Sequence, residues 1–302
     1  MSRLKKIIKN PKLILVYCAK ICPRLVSKRM YIKITYEYVF KKKINLSNPK
    51  TFNEKLQWLK LNDFRAEYTS LVDKAEVKKI VADKVGDKYI IPTIGVWEKF
   101  EDIDFNKLPN QFVLKCTHDS GSVVICKNKK NFDKDAAKKK LNQALKQNFY
   151  YRCREYPYKN VKPRIIAEDY INDISTGQLY DYKIFCFNGV PQYFYIASDR
   201  HLGSKNTKFD YFDIEFNRID MRQAQNHCSN TLFFRPKCYD KMIEIASVLS
   251  KGIPQVRVDF YIANDKLIFG ELTFFHQGGF GPFIPEKFDD IWGEKIKLPN
   301  GE

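Results

Sequence analysis

The segment that most limits what this chain can fold into is VRVDFYIANDKLIFGELTFF, residues 256–275. It reads as two strands about a short turn at Asn264-Asp265-Lys266. Val256, Val258, Phe260, Ile262, Ile268, Gly270 and Leu272 hold even positions; Arg257, Asp259, Glu271 and Thr273 hold odd ones. Strand side chains alternate between faces, so one face is predicted to be oily and the other charged. With three residues in the turn, Ala263 pairs with Leu267 and Asp259 falls opposite Glu271. Like charges opposed across a ladder destabilise it. At about 5 Å they repel by about 1 kcal/mol in water, and by several times that at a partly buried site. A cation relieves the repulsion. Carboxylate oxygens suit Mg2+, which commonly takes one or two protein carboxylates together with substrate phosphates. Thr273 faces the same way and can add an oxygen, and Arg257 can hold a transferring phosphate. The alternative is a solvated face carrying an Arg–Asp–Glu pair.

A chain of 302 residues, 44% apolar and 15% aromatic, can bury a substantial core as one large domain or two intimate ones. The net charge of +18 is uneven: residues 1–50 hold fourteen Lys or Arg against one acid, Glu37. A protein that grips nucleic acid along its body carries basic patches throughout, so no specific nucleic-acid partner is expected. The basic start, MSRLKKIIKNPKLILVYCAKICPRLVSKRMYIK, holds a short apolar run from Leu13 to Ala19. Lys20 and Arg24 interrupt it and no clear small-residue cleavage site follows, which argues against an export signal. It reads as a basic helical segment packed on the body or laid on an anionic membrane surface or polymer. No apolar run approaches the roughly 20 residues of a membrane-spanning helix. The cysteines at 18, 22, 116, 126, 153, 186, 228 and 238 include no C-x2-C pair. They read as reduced thiols of a cytoplasmic protein, placed in the cytoplasm or peripherally at the inner face of the membrane.

Helices and strands mix along the chain. NPKTFNEKLQWLKLND starts a helix at Thr51, with Glu54 completing a capping box. DKAEVKKIVADKVGDKYIIP gives another, with Asp73 and Glu76 as its box and Gly86 as its stop. QFVLKCTHDSGSVVICKN, residues 111–128, reads strand, glycine-containing loop, strand. A helix capped near Asp133 follows, then the apolar strand PRIIAEDYI. DYKIFCFNGVPQYFYIA is a hairpin turning at Asn188-Gly189. YDKMIEIASVLSKG is a helix ended by Gly252 that leads into the segment at 256–275. Prominent hairpins among helices give an α+β class with antiparallel sheet.

Lys115 ends an apolar strand and precedes a loop with Ser120, Gly121 and Ser122. Such a loop can bring backbone N–H groups onto phosphate oxygens, with the lysine as a point charge; a plain hairpin with a chance lysine is the alternative. The strand in IIAEDYI turns polar at Glu168-Asp169 and can offer backbone groups to an adenine edge. Asp181 and Lys183 share one face of YDYKIF, where they reach a ribose or phosphate or pair with each other.

In this order the elements resemble the ATP-grasp superfamily, and more narrowly its TupA-like group, named for teichuronopeptide biosynthesis. The stretches that carry the resemblance run from NPKTFNEKLQWLKL through FVLKCTHDSGSVVI, IIAEDYI and DYKIFCFNGVPQ to VRVDFYI and FGELTFFHQGGFGPFIP, about residues 48–286. The resemblance implies an ATP site between two α+β lobes. The boundaries it suggests are a basic helical segment at 1–48, a substrate-side region at 49–110, a small ATP-binding lobe at 111–172 and a C-terminal lobe with the metal site at 173–302. Lys115 and the loop Thr117, Ser120, Gly121 and Ser122 would hold the phosphates; Glu168, Asp169, Tyr170 and Ile171 the adenine; Asp181 the ribose. Lys183 would contact phosphate or substrate, Arg257 would steady the transition state, and Asp259, Glu271 and Thr273 would bind Mg2+. Thr273 stands where the superfamily usually has asparagine. Arg200, in ASDRHLGSKN, is a candidate clamp for a substrate carboxylate.

The implied activity is a carboxylate–amine ligase that uses ATP and Mg2+ to make an acyl phosphate, joining a sugar or amino-acid carboxylate to an amine in surface-polysaccharide synthesis. Two rivals stand beside it. A glycosyltransferase would use a D-x-D motif, present as Asp102-Ile103-Asp104. A non-catalytic protein would bind anionic surfaces through the basic start.

Overall fold

A computed structural model of the chain describes residue 14 and residues 23–174, 177–199, 206–224 and 226–299. The candidate clamp Arg200, and all of the basic start before residue 23 except Ile14, lie outside the described residues.

Helix α1 (Lys28–Phe40) begins at Ser27, whose hydroxyl accepts the Met30 amide. Helix α2 (Phe52–Asn62) has the expected box: Thr51 accepts the Glu54 amide and Glu54 reaches back to the Thr51 amide. After α3 (Glu67–Val72), Asp73 opens α4 (Glu76–Val85) differently from expectation. Its Oδ1 accepts the Ala75 and Glu76 amides at 2.8 and 3.2 Å, but Glu76 does not reach back. The second Asp73 oxygen and the Glu76 carboxylate both take Arg164 instead.

Strands β1 (Thr93–Trp97), β2 (Phe112–Cys116), β3 (Val124–Cys126) and β4 (Ile165–Asp169) form an antiparallel sheet in the order β1-β4-β2-β3. Helix α5 (Lys134–Leu145), capped by Asp133, and α6 (Tyr150–Cys153) lie between β3 and β4. Phe112, Leu114 and Cys116 alternate into a core with Ile165, Ala167 and the Ala137 and Leu141 face of α5. Alternation turns Lys115 and Glu168 to the other side of the sheet. Because β1 pairs with β4, this sheet draws on residues upstream of 111, whereas Phe52, Leu56 and Leu59 belong to the second core.

That core surrounds the larger sheet, β11-β10-β5-β6-β7-β8. It comprises β5 (Asp181–Phe187), β6 (Val190–Ser198), β7 (Lys208–Asp213), β8 (Arg218–Ile219), β10 (Gln255–Ala263) and β11 (Lys266–Thr273). Between them β9 (Arg222–Gln223) pairs with β12 (Phe283–Ile284). Asn188 and Gly189, both at positive φ, close the β5–β6 hairpin as expected. One face packs on α7 (Tyr239–Ser250) through Met242, Ile245, Ala246 and Leu249. Part of the other is covered by Phe52 of α2 and Trp292 of α8 (Lys287–Lys295), whose rings meet Phe185 and Phe187. The rest of that face is left to polar side chains.

The β10–β11 hairpin corrects the sequence reading in two places. Its turn has two residues, Asn264 and Asp265, at φ 50° and 61°, so Ala263 pairs with Lys266 and not with Leu267. A one-residue bulge at Gly270 then lies between the pairs Phe260↔Phe269 and Asp259↔Glu271. The two differences cancel, and the acids stand opposite each other as expected. A bulge places two residues against one and so resets which face follows. Leu267 and Phe269 therefore join the core in place of Ile268 and Gly270, while Glu271 and Thr273, also at odd positions, turn to the polar side.

Candidate active site

The polar face carries a row of direct cross-strand neighbours: Glu271, Asp259, Lys183, Tyr195 and Tyr211. Asp259 is fully buried and held from two sides. Arg257 grips it in a fork, Nε to Oδ1 and Nη2 to Oδ2, both at 2.6 Å. Lys183 donates to Oδ2 and also pairs with Asp181 at 2.8 Å. Burial alone would push the Asp259 carboxyl up; Arg257 and Lys183 outweigh it and hold it below the usual range. Burial likewise pulls Lys183 down, but Asp181 and Asp259 keep it raised. The expected repulsion is thus answered by two cations of the chain itself. Glu271 is looser: its side chain is 43% exposed and 3.6 Å from Arg257.

The remaining Arg257 donors go to Thr273 Oγ1 at 3.0 Å, Tyr195 Oη at 3.3 Å and His276 Nδ1 at 2.6 Å. A guanidinium only donates, so His276 accepts at Nδ1 and is neutral. Burial, reinforced by Arg257, holds it well below the usual histidine range. His276 opens a tight turn ending at Gly279, with Gln277, Gly278 and Gly279 all at positive φ. Helix α2 clamps this turn from below. Asn53 donates to the Gly281 carbonyl, Gln57 to those of Gly278 and Gly279, and the buried Lys60 ammonium to those of Gly278 and Cys153.

On the smaller sheet, Glu168 lies between two lysines, 2.5 Å from Lys115 and 2.6 Å from Lys78. Burial would raise the Glu168 carboxyl, but Lys115 and Lys78 bring it below the usual range. Lys74, just ahead of α4, is within electrostatic reach of both sheets. Burial holds its ammonium below the usual lysine range; Glu271 opposes this and Lys115 adds to it. Lys74 donates to the Asp119 carbonyl in the glycine loop. Within that loop Thr117 and Ser122 are buried. The Thr117 hydroxyl donates to the Lys162 carbonyl, and that of Ser122 accepts the Cys116 amide and donates to Asp119. Both hydroxyls shape the loop; Ser120 and Gly121 form its exposed tip. The chain leaves the sheet at Asp169, with Tyr170 and Ile171 half-buried beyond it.

A family model described as TupA-like ATPgrasp matches residues 54–297, most of the chain and both large sheets. The chain belongs to the TupA-like ATP-grasp family. Its α+β architecture, with antiparallel sheets, is an ATP-grasp fold. No curated protein matches the sequence. Among solved structures, the D-alanine–D-alanine ligase of Bacillus anthracis complexed with ATP is similar at 17% identity and a TM-score of 0.40, over 67% of this chain and 54% of that one. The ATP-grasp ligase PsnB with a precursor variant, Mg and ADP gives 8% and 0.43, over 85% and 65%. The biotin carboxylase domain of Hydrogenobacter thermophilus 2-oxoglutarate carboxylase, with MgADP and bicarbonate, gives 14% and 0.38, over 67% and 39%. The chain spans about half the length of the first of these.

In this ATP-grasp chain the donor set is of the kind a divalent ion takes, two facing carboxylates and a hydroxyl. Glu271 is open to one; both Asp259 oxygens are engaged by cations, and the Thr273 hydroxyl accepts from Arg257. Among the described residues no three His, Cys, Asp or Glu side chains are grouped to hold a metal unaided, so ligand oxygens would have to complete a shell. Sequence reasoning passed over Lys74, Lys78 and His276. Lys74 and Lys78 sat in a stretch read only for its helix, Lys74 ahead of it and Lys78 in its first turn, among several other lysines. His276 had no local signal, since its partner Arg257 lies on β10 and His276 in the turn after β11.

Proposed function

We propose that the chain is a Mg-ATP-dependent carboxylate–amine ligase working through an acyl phosphate in bacterial surface-polysaccharide synthesis or modification. One observation carries this reading: a lysine-rich wall on the smaller sheet and an acid-rich wall on the larger sheet are linked through Lys74, which is within electrostatic reach of both Lys115 and Glu271. On the smaller sheet's side Lys74, Lys78 and Lys115 outnumber Glu168 and Asp119 by one. On the larger sheet's side Asp181, Asp259 and Glu271 outnumber Arg257 and Lys183 by one. A polyphosphate suits the first wall, and a divalent cation bound with it suits the second.

In this reading Lys115, Lys74 and the loop tip at Ser120-Gly121 receive phosphate oxygens. The Glu168 carboxylate is committed to Lys78 and Lys115, so the adenine would be met by the chain from Asp169 to Ile171. Glu271 and Asp259, with Thr273, would hold Mg2+, which supplies charge neutralisation. Lys183 and Arg257 are then the cations nearest the transferring phosphoryl group, with Asp181 beside Lys183 at the ribose end. Positioning and charge do the chemistry, and no nucleophilic side chain is required. The family's association with teichuronopeptide-type polymers supports a sugar or amino-acid carboxylate and an amine as substrates. No helix among the described residues is long and apolar enough to cross a membrane. The ATP requirement favours the cytoplasm, and the basic start favours contact with the anionic inner face of the membrane.

The glycosyltransferase reading gains nothing from its motif. Ile103 is buried in the smaller core, and Asp104 accepts the Asn106 amide at 3.0 Å in a turn. Thermal denaturation with Mg-ATP and, separately, with Mg-UDP-sugars decides between the two. A ligand at about 100 times its Kd stabilises by about 2.7 kcal/mol. Stabilisation by Mg-ATP alone is expected; stabilisation by a UDP-sugar alone would reject the ligase.

A further inference from the structure

Glu155 caps a short 3-10 turn, Tyr156–Tyr158. The Tyr158 amide donates to the Glu155 carbonyl at 3.2 Å, which holds the two residues together. Glu155 is only 7% exposed, yet no described residue hydrogen-bonds or ion-pairs with its carboxylate. Neither oxygen is fully enclosed, so the carboxylate stays open to solvent and to a ligand. Lys60 and Arg152 are near enough to act on it without touching it, and burial lifts its carboxyl to about 7. Lys60 gives its protons to the Gly278 and Cys153 carbonyls. Tyr31 from α1, Cys153 and Tyr158 are further titratable neighbours, and the Tyr31 hydroxyl donates to the Arg152 carbonyl.

The location is informative. A side chain begun at Gly278 would lie 3.6 Å from Glu155 Oε1, so the carboxylate rests against the turn that follows Glu271 and Thr273. The Tyr158 hydroxyl, which also has no partner among the described residues, lies within electrostatic reach of Glu155 and of Glu271, Arg257 and Asp259. Glu155 and the proposed metal pair thus have Tyr158 as a shared neighbour. A ligase needs something there. Its amine substrate arrives as an ammonium ion, which has to be bound and to lose a proton before nitrogen can attack.

We propose that Glu155, with Tyr158 beside it, receives the ammonium group of the amine substrate. The inference rests on the ligase reading. Glu155 takes one proton from R–NH3+, leaving R–NH2. The nitrogen lone pair forms the C–N bond at the acyl phosphate carbonyl, and the C–O bond to phosphate breaks with its electron pair on the phosphate. The second proton lost from nitrogen leaves with that phosphate.

The probe is methylammonium, titrated into the full chain labelled at glutamate carboxyl carbons and followed by NMR. Glu155→Gln identifies the Glu155 line by its loss; should that variant not fold, Glu155→Asp moves the line instead. Methylammonium should lower the Glu155 titration midpoint by about one pH unit, a tenfold shift in the ionisation equilibrium. Tetramethylammonium, which carries the charge but no N–H, should not, and Tyr158→Phe should weaken the response. An unchanged midpoint, or equal responses to the two ions, would overturn the proposal and leave Glu155 as a distant partner of Lys60. A chain stabilised by Mg-ATP but blind to methylammonium keeps the ligase reading and loses this site. The reverse result keeps an ammonium site and loses the ligase.

Discussion

Asp259 and Glu271 face each other but are not equivalent. Asp259 is buried under two cations, so Asp259→Asn would strand Arg257 and Lys183 and should cost about 3–5 kcal/mol in denaturant melts. Glu271→Gln, at a half-exposed site, should change stability by less than about 1 kcal/mol while abolishing Mg-dependent ATP turnover. The depressed Asp259 carboxyl sets the sign with pH. Its contribution is complete above the usual carboxylate range and is lost as pH falls through its lowered folded value. Glu155 runs the other way. With a folded value of about 7, the native state holds a proton that the unfolded chain has released, so stability falls as pH rises from the usual carboxylate range towards 7. Glu155→Gln should therefore raise the melting temperature at pH 8, by the equivalent of about 3 kcal/mol before relaxation, and should lose that advantage at pH 5. An unchanged difference between the two pH values would refute the assignment.

At the scale of elements, the bulge at Gly270 lets one strand feed a core at Leu267 and Phe269 and a polar site at Glu271 and Thr273. A side chain there would begin 3.1 Å from the Asp259 carbonyl and from the Tyr261 ring. Gly270→Val should cost about 1–3 kcal/mol and diminish the thermal response to Mg-ATP by tilting Glu271. The sequence disclosed what short-range chemistry controls. Thr51 and Glu54 announced a helix start, Asn188-Gly189 a two-residue turn, and Asp133 a cap. The 256–275 hairpin was read with a turn one residue too long, and the pairing of Asp259 with Glu271 survived only because the bulge supplied the missing residue. No local rule marks a bulge in a run whose apolar residues continue through it. Asp73 was recognised as a helix opener, but its ties to Arg164, 91 residues away, were not legible. The same holds for Glu155 and Tyr158, which sit in a segment with neither helical nor strand period and acquire a meaning only when the turn at Gly278 is folded against them.

Across the whole molecule, the two cores are separate and the proposed nucleotide joins them. Both Lys115 of the smaller sheet and Glu271 of the larger act on the Lys74 ammonium. Mg-ATP should therefore protect the β2–β3 hairpin and the β10–β11 hairpin from hydrogen exchange together, and Lys74→Ala should remove both effects without unfolding either sheet. Protection confined to one hairpin would mean that nucleotide does not span the cleft. The grip of α2 on the far end of the sequence has a further consequence. Asn53, Gln57 and Lys60 supply the donors for carbonyls more than 200 residues later. Dividing the protein between residues 62 and 67 would leave those carbonyls without donors and the larger sheet without its Phe52 cover. The two fragments should each be inert, and mixing them should restore nucleotide response only as fast as the early helix finds its seat.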